Sequence, residues 1–372
     1  MVGAGSMGMS AGAHLARRGI RTLLIDAFDP PHKEGSHHGD TRLIRHAYHG
    51  GPSYIALAIR AHELWNELEE ESGDTLLVTS GVINLSSPQV ISYRERLEDS
   101  LRLGLRIEHL DAVEIHKRWP GFTVPEDYMG LYEPDAGYLL SERCVSAYRM
   151  AAGEAGAELL ANTRVVRLEE RGEGVSVHTD KMGIFHAAKV ILSAGAWFQT
   201  LEPYVTLPIT PVRKTVGWFG TAGAQFDVGR FPGFTLNTPE GGYYGFPNIA
   251  GAGLKIGRHD GGKVWSPGEP YLPFGSDPED EGDLRKALEA YIPGAAGALK
   301  RGVVCKYERT PDEDFIIDRY DGYSHVWIAG GFSGHGFKFS SVVGEILADL
   351  AETGTTRHDI GLFSLSRFNL NK

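Results

Sequence analysis

Three glycines near the start of the chain have the spacing Gly3-x-Gly5-x-x-Gly8, which is typical of a dinucleotide-binding loop. The first glycine allows a tight turn, the second lets the backbone approach a pyrophosphate, and the third lets helix and sheet pack closely. Residues 7–18 then have a helical pattern, and the free N–H groups at a helix amino terminus attract phosphate. Asp26 follows a short apolar strand, where a carboxylate accepts ribose hydroxyls. The segment therefore predicts a dinucleotide site.

The strand that should lead into this loop is reduced to Met1 and Val2. A buried parallel strand normally has a run of about 4–8 apolar residues, and this one would be central in a doubly wound sheet. Each unpaired buried backbone group would cost about 1–3 kcal/mol. We therefore expect the natural chain to begin several residues upstream, which an intact-mass measurement on the native protein tests.

A second candidate segment, residues 35–48, contains two adjacent histidines and two arginines three residues apart. The pair His37 and His38 lacks the spacing of chelating residues on a helix, so we expect no metal site. Arg42 and Arg45 could share one face and bind an anion. Taken alone, however, the segment is more typical of a solvated surface strip, which is the simpler interpretation.

Three further residues are of a type that is unusual at its predicted position. Lys255 lies in an apolar strand between glycines, and a buried lysine usually serves chemistry. Lys338 follows a second glycine-rich loop at the start of a helix, where a cation is unfavourable unless an anion binds there. Cys305 lies on a strand; a small core residue is the simpler interpretation, although nearby cations could make its thiol a nucleophile.

Bulk properties restrict the class of protein. A chain of 372 residues predicts two domains. The net charge of −11 argues against a nucleic-acid partner, and no apolar run is long enough to span a membrane. Two cysteines cannot form a disulfide framework, which favours a cytoplasmic protein with reduced thiols.

The order of predicted elements indicates an α/β protein with two domains. Both ends of the chain alternate strand and helix, whereas residues 212–300 contain strands with aromatic alternation and glycine-rich loops, which is typical of an antiparallel sheet. We therefore predict a discontinuous Rossmann-like domain and a second domain with a mostly antiparallel sheet and flanking helices. The predicted boundaries are 1–78, 145–212 and 302–372 for the first domain, and 79–144 and 213–301 for the second.

Three long motifs carry a resemblance to a known family. Residues 36–48 read SHHGDTRLIRHAY, residues 243–247 read YYGFP, and residues 333–339 read SGHGFKF. With these motifs the chain resembles the monomeric sarcosine oxidase and N-methyltryptophan oxidase family of flavoenzymes, from residue 3 to about residue 367. The resemblance implies a fold of the amino-acid oxidase type and an FAD tethered through its 8α-methyl group to Cys305, which overturns the simpler interpretation of that cysteine.

The resemblance also implies roles for individual residues. Arg45 and Lys338 would bind the substrate carboxylate, and Lys255 would promote the reaction with oxygen. The remaining implied site residues surround the flavin ring (His38, Thr41, Arg42), line the substrate pocket (Thr235, Tyr244, His259, Tyr307), or bind the cofactor through the two glycine loops (Gly3, Gly5, Ser6, Met7, Gly8, Asp26, Gly334, Gly336, Phe337).

The implied reaction converts sarcosine, oxygen and water to glycine, formaldehyde and hydrogen peroxide, by a monomer whose partners are a small N-methyl amino acid and O2. Two alternatives stay open: an N-methyl-L-tryptophan oxidase with the same chemistry, and a flavin dehydrogenase of a cyclic secondary amino acid. Thr235 bears on the first, because the resemblance implies methionine there in sarcosine enzymes and threonine in the tryptophan branch. A nicotinamide enzyme would explain only the first glycine loop.

Overall fold

A computed structural model describes residues 1–48, 50–90 and 93–368 of the chain. Within these residues none of the helices is long and apolar enough to cross a bilayer. The helices of the described residues are α1 (Ser6–Arg17), α2 (Pro52–Ser72), α3 (Tyr93–Arg102), α4 (Ala112–Arg118), α5 (Ser141–Glu154), α6 (Glu279–Tyr291) and α7 (Ser340–Thr353).

The strands alternate with these helices at both ends of the chain and follow one another in its middle, as the sequence predicts. They are β1 (Leu23–Ile25), β2 (Thr41–Ile44), β3 (Leu77–Val78), β4 (Val82–Ser86), β5 (Glu108–Asp111), β6 (Met129–Glu133), β7 (Gly137–Leu140), β8 (Glu158–Leu160), β9 (Val165–Arg171), β10 (Gly174–Thr179), β11 (Ile184–Ala187), β12 (Val190–Leu192), β13 (Thr210–Phe219), β14 (Gly233–Thr238), β15 (Gly241–Phe246), β16 (Leu254–Arg258), β17 (Lys263–Val264), β18 (Leu299–Arg309), β19 (Ile316–Arg319) and β20 (Val326–Gly330).

A parallel sheet carries the first glycine loop. Strand β1 pairs in parallel with β8 on one side, and β12 pairs in parallel with β20 on the other. Val2 lies between these two pairs and forms single parallel bridges to Ile25 and Leu192. The predicted position of the first strand is therefore confirmed, although one residue takes the place of a full strand.

A nine-stranded sheet forms the second part of the molecule, in the order β17-β13-β16-β15-β14-β4-β6-β5, with β18 paired to β13. Its pairings are antiparallel except for β14 with β4. The predicted α/β fold with a mostly antiparallel second sheet is confirmed. Strand β18 differs from expectation: the sequence grouped it with the carboxyl-terminal α/β segment, but it pairs with β13 from Thr210 to Phe219.

The helices next to the parallel sheet form one apolar core. Helix α7 packs against α1 and α2, and it is buried on nearly every side. Helix α2 buries one face, through Ile55, Ala58, Ala61, Leu64, Trp65 and Leu68. Because α1 and α7 are clamped in this core, the two glycine loops that precede them are held against the same side of the sheet.

Candidate active site

A cleft runs along the amino terminus of α1 at the edge of the parallel sheet. Its empty volume is about 1170 Å³, including solvent at its mouth. The lining includes most of the predicted cofactor residues from both glycine loops, namely Gly3, Gly5, Ser6, Met7, Asp26, Gly334, Gly336 and Phe337. The structure therefore brings the two loops together, although they are more than 300 residues apart in the sequence.

Two glycines in these loops are required by close contacts. A Cβ atom on Gly8 would lie 1.9 Å from the carbonyl oxygen of Gly3, so the turn into α1 closes only without a side chain. A Cβ on Gly334, whose φ is +82°, would lie 2.0 Å from the ring of Tyr307. The second loop thus packs directly on a predicted pocket residue.

Asp26 organises the first loop through its own hydrogen bonds. Its Oδ2 atom accepts from the backbone N–H of Ala4 at 2.6 Å, and its Oδ1 atom accepts from Phe28 N–H at 2.9 Å. The carboxylate also lines the cleft. The sequence predicted the position of this acid at the cleft, but not that it ties the loop to the end of β1.

A second cavity adjoins the cleft on the side of the large sheet, and its empty volume is about 800 Å³, solvent included. Arg42, Tyr307, Gly334 and Phe337 line both spaces. Seven of the predicted flavin-ring and substrate residues meet in this cavity: Arg42, Arg45, Thr235, Tyr244, His259, Tyr307 and Lys338. Strands β2, β14, β15, β16 and β18, or residues adjacent to them, supply all of these except Lys338.

Two cations enter the second cavity from different elements. Arg45 is 9% exposed, so the interpretation of its segment as a solvated strip was wrong for this residue. Its guanidinium donates to Ala47 O at 2.9 Å and lies 4.6 Å from the centre of the Tyr48 ring. Lys338 is 5% exposed, and its Nζ donates to His335 O at 2.8 Å and to the Tyr48 hydroxyl at 3.2 Å.

The electrostatic environment of Lys338 favours an anionic ligand. Burial lowers the pKa of Lys338 well below its usual value, and the nearby Arg45 lowers it further. Neither cation forms a salt bridge with a carboxylate among the described residues. A carboxylate bound between them would restore the charged form of Lys338 and compensate the desolvation of both side chains.

Lys255 is buried, as the sequence predicts, with 2% of its surface exposed. Its Nζ donates to Gly39 O at 2.6 Å and to Thr41 O and Thr41 Oγ1 at 3.0 Å, and it lies 4.6 Å from the centre of the Phe246 ring. Burial lowers the pKa of Lys255 to about 7, and repulsion from Arg42 adds to this shift. This ammonium therefore titrates near neutrality.

Cys305 lies beside the segment that Lys255 contacts. Its thiol is 3.6 Å from His38 O, and a Cβ atom on Gly39 would be 3.6 Å from its Sγ and 3.7 Å from Arg42 Nη1. The other cysteine, Cys144, is buried in the core against Leu76 O, and both thiols are free. The structure thus brings Cys305, Arg42, Thr41 and Lys255 together around residues 38–42.

The histidine pair divides between two environments. The imidazole Nδ1 of His38 lies 3.4 Å from Glu142 Oε1, so this ring is directed towards α5. His37 instead lines the cleft, and burial lowers its pKa to about 3. The resemblance implies a position for His38 beside the flavin ring; of the two histidines, His37 lines the cleft.

The remaining pocket residues are uncharged near neutral pH. Burial, together with the cations Lys214, Arg45 and Lys338, lowers the pKa of His259 to about 3. Burial raises the pKa of Tyr244 and, more strongly, that of Tyr307. Thr235 donates its hydroxyl to Asn84 Oδ1 at 3.0 Å. The cavity therefore presents neutral rings between fixed cations.

The lining residues that could not be picked out from the sequence include Arg96 and Glu308. Arg96 lines the second cavity from α3, a helix of polar composition. Glu308 lines the cleft, and burial raises its pKa to about 8; its Oε2 atom has no hydrogen-bond partner among the described residues. Glu308 follows Tyr307 on β18, and because neighbouring strand residues face opposite sides, the pocket position of Tyr307 gave no signal that Glu308 also reaches the cleft.

Proteins of similar sequence match nearly the whole chain. The chain is 48% identical over 372 residues to a monomeric sarcosine oxidase from Bacillus sp. (strain B-0618), covering 99% of this chain and 95% of the relative. It is 41% identical over 370 residues to an N-methyl-L-tryptophan oxidase from Salmonella typhimurium, covering 99% of this chain and 98% of that one.

Solved structures with a similar fold are more distant in sequence. The L-proline dehydrogenase from P. horikoshii superposes with a TM-score of 0.85 at 23% identity, covering 99% of this chain and 96% of that one. NikD, described as an unusual amino acid oxidase, superposes with a TM-score of 0.84 at 24% identity, covering 98% and 96%. The profile of the family described as FAD dependent oxidoreductase matches residues 1–350. The chain therefore belongs to this family of FAD-dependent oxidoreductases.

Proposed function

We propose that this protein oxidises small N-methyl amino acids of the sarcosine type with molecular oxygen. The observation that carries the proposal is the second cavity, in which Arg45 and Lys338 offer two buried cations to a carboxylate directly beside the cleft. The names of the relatives, sarcosine oxidase and N-methyl-L-tryptophan oxidase, support the same substrate class. The products would be the demethylated amino acid, formaldehyde and hydrogen peroxide.

The residues of the cleft fit FAD. The amino terminus of α1 and the first glycine loop suit a pyrophosphate, and Asp26 suits a ribose. The cleft then continues to Arg42, Tyr307 and the second glycine loop, where it meets the substrate cavity. When bound, FAD supplies the acceptor for a hydride equivalent and passes electrons to oxygen.

Binding of the substrate carboxylate positions the methylated amine. Two cations hold the carboxylate from different elements, so the N-methyl carbon is directed towards the junction of cavity and cleft. Positioning of this kind supplies up to about 7–11 kcal/mol of a reaction barrier. The uncharged rings of Tyr244, His259 and Tyr307 exclude water around the amine.

The amine must react in its neutral form. Arg45 and Lys338 lie on the same cavity, and two nearby cations favour loss of the proton from a bound ammonium. His259, with a pKa lowered to about 3, adds no charge of its own above that pH. The pocket therefore lowers the pKa of the bound substrate amine and shifts it towards the reactive species.

We further propose that Cys305 is the covalent attachment point of the flavin. Its thiol lies next to residues 38–42, among which Arg42 lines both the cleft and the second cavity. Replacement Cys305→Ala should leave the cofactor bound but extractable, so acid precipitation would release the yellow colour into the supernatant. In the wild type and in the Cys144→Ala control, the colour should stay with the pellet. A coloured Cys305→Ala pellet would assign the attachment to another residue.

Thr235 is expected to set the size of the substrate side chain that the pocket accepts. It lines the second cavity, and threonine leaves more space there than methionine. Replacement Thr235→Met should shift the ratio of kcat/KM values, N-methyl-L-tryptophan to sarcosine, towards sarcosine by about 10–200-fold, the range for a methylene-scale change. Thr235→Ser serves as the control and should leave this ratio nearly unchanged. An unaltered ratio in Thr235→Met would show that Thr235 does not determine which substrate side chains the pocket accepts.

A peroxide assay of the purified yellow protein tests the proposed function as a whole. Sarcosine, N-methyl-L-tryptophan, proline and pipecolate are supplied in air, and peroxide and formaldehyde are measured together. Equal amounts of the two products with the N-methyl substrates support the proposal. Turnover with a dye under nitrogen, but none in air, would instead identify a dehydrogenase.

A further inference from the structure

Arg96 is a buried cation on the substrate cavity that the proposed reaction does not use. Its side chain projects from α3, is 5% exposed and lines the second cavity with Thr235 and Asn237. Its Nε atom is buried without a hydrogen-bond partner, and its guanidinium forms no salt bridge or hydrogen bond with any residue in the described parts of the chain. A guanidinium normally forms several such bonds when it is removed from water.

The charge around this cavity does not balance. Arg45, Lys338 and Arg96 all line it, and burial and Arg45 lower the pKa of Arg96 to about 10. Glu133 is the carboxylate that acts on Arg96 and Lys338, and its oxygens accept from the backbone N–H groups of His46 and Ala47 and from Asn84. Glu133 therefore offsets one positive charge at most.

A substrate with a single carboxylate would leave one positive charge of this cavity without an anionic partner. The α-carboxylate, held by Arg45 and Lys338, neutralises one further charge. Arg96 would still be buried and unpaired, and an unpaired buried charge is strongly unfavourable. A second anionic group on the ligand would pair with Arg96 and satisfy its free donor.

We propose that Arg96 is a specificity-determining residue and that the preferred substrates are N-methyl amino acids with an acidic side chain. Both carboxylates of such a dicarboxylic substrate would be bound, the α-carboxylate by Arg45 and Lys338 and the side-chain carboxylate by Arg96. Guanidinium is suited to this second contact, because its planar donors match a carboxylate in two parallel hydrogen bonds. This inference rests on the proposed function for the reaction, but the binding of the second carboxylate is independent of turnover.

The first test compares matched substrates. N-methyl-L-glutamate and N-methyl-L-glutamine have the same shape and differ in the charge of the side chain. We expect the wild type to prefer the acid by about 30-fold or more in kcat/KM, as for a buried charge pair. Arg96→Met should lose this preference, so that its kcat/KM values for the acid and for the amide become nearly equal. Arg102→Met, an exposed position on the same helix, is the control and should behave as the wild type.

A second test separates this inference from the proposed reaction. The binding of glutarate and of butyrate to the yellow holoenzyme is measured by calorimetry, because neither compound has an amine to oxidise. Tighter binding of glutarate in the wild type, lost in Arg96→Met, supports the inference even if no N-methyl amino acid is turned over. Equal preference for acid and amide, or a glutarate preference that survives in Arg96→Met, would overturn it.

Discussion

Replacement Lys255→Met should slow the reaction with oxygen by nearly three powers of ten and leave substrate oxidation nearly unchanged. The first electron transfer to oxygen produces superoxide, which is an anion. A cation about 4 Å away stabilises it by about 4 kcal/mol at an effective dielectric of 20, which corresponds to this change in rate. Lys255 is a buried ammonium beside residues 39–41, and within the described part of the chain its hydrogen bonds go to Gly39 and Thr41 and not to a carboxylate.

Stopped-flow measurements separate the two half-reactions in this variant. Anaerobic mixing with sarcosine measures substrate oxidation, and mixing of the reduced protein with oxygenated buffer measures the oxygen reaction. Lys214→Met is the control, since Lys214 is also a buried lysine but donates to Asp260 O and Gly261 O and lies 5.4 Å from the centre of the Tyr307 ring. A normal oxygen reaction in Lys255→Met would reject the role of this lysine.

The pH dependence of the oxygen reaction gives a further check on the same residue. Burial lowers the pKa of Lys255 to about 7, and only the protonated form carries the charge. The rate should therefore be high at low pH and fall as pH rises through the pKa of Lys255. In Lys255→Met this dependence should disappear, and the rate should be low throughout.

Replacement Lys338→Met should weaken substrate capture and leave the fold intact or slightly stabilised. Loss of one partner from a buried charge pair costs about 2–5 kcal/mol, so kcat/KM for sarcosine should fall by about 30- to 4000-fold. The free protein, in contrast, loses a buried ammonium whose pKa is lowered by desolvation, and methionine replaces it with similar volume. The thermal midpoint should therefore stay equal or rise.

Two measurements distinguish this role from a structural one. Calorimetric titration with butyrate reports carboxylate binding, which should be lost in Lys338→Met and retained in part in Lys338→Arg. Thermal unfolding reports stability, and a large decrease in the midpoint would show that Lys338 is needed by the fold itself. Unchanged butyrate binding would show that Lys338 does not bind the carboxylate.

The glycine loop, α1 and the burial of Lys255 could be predicted from the sequence because each depends on neighbouring residues. Gly3 and Gly8 belong to one turn, and the apolar neighbours of Lys255 show which way its strand is buried. The pairing of β18 with β13 could not be predicted in this way. It depends on long-range registry between strands about 90 residues apart, which local pattern does not encode.

The three cations of the second cavity also depend on long-range contacts that the local sequence does not encode. Arg45 and Lys338 were paired through the family resemblance, since nothing in their local sequence shows that they converge. Arg96 was missed because α3 has a polar composition, so that a buried arginine on it resembles its exposed neighbours. Only the packing of α3 against the large sheet shows which of its arginines faces the cavity.

The short segment from Gly39 to Arg42 forms hydrogen bonds with side chains of two distant elements, α5 and β16. Glu142 of α5 accepts from Gly39 N–H, Lys255 of β16 donates to Gly39 O, and Arg42 bonds back to Ser36 O. A substitution in this segment would disturb cofactor binding and substrate binding together. We therefore expect adaptation to new substrates to occur at other positions of the second cavity, such as Thr235 and Arg96. Side chains can be exchanged there without breaking the hydrogen bonds of residues 39–42.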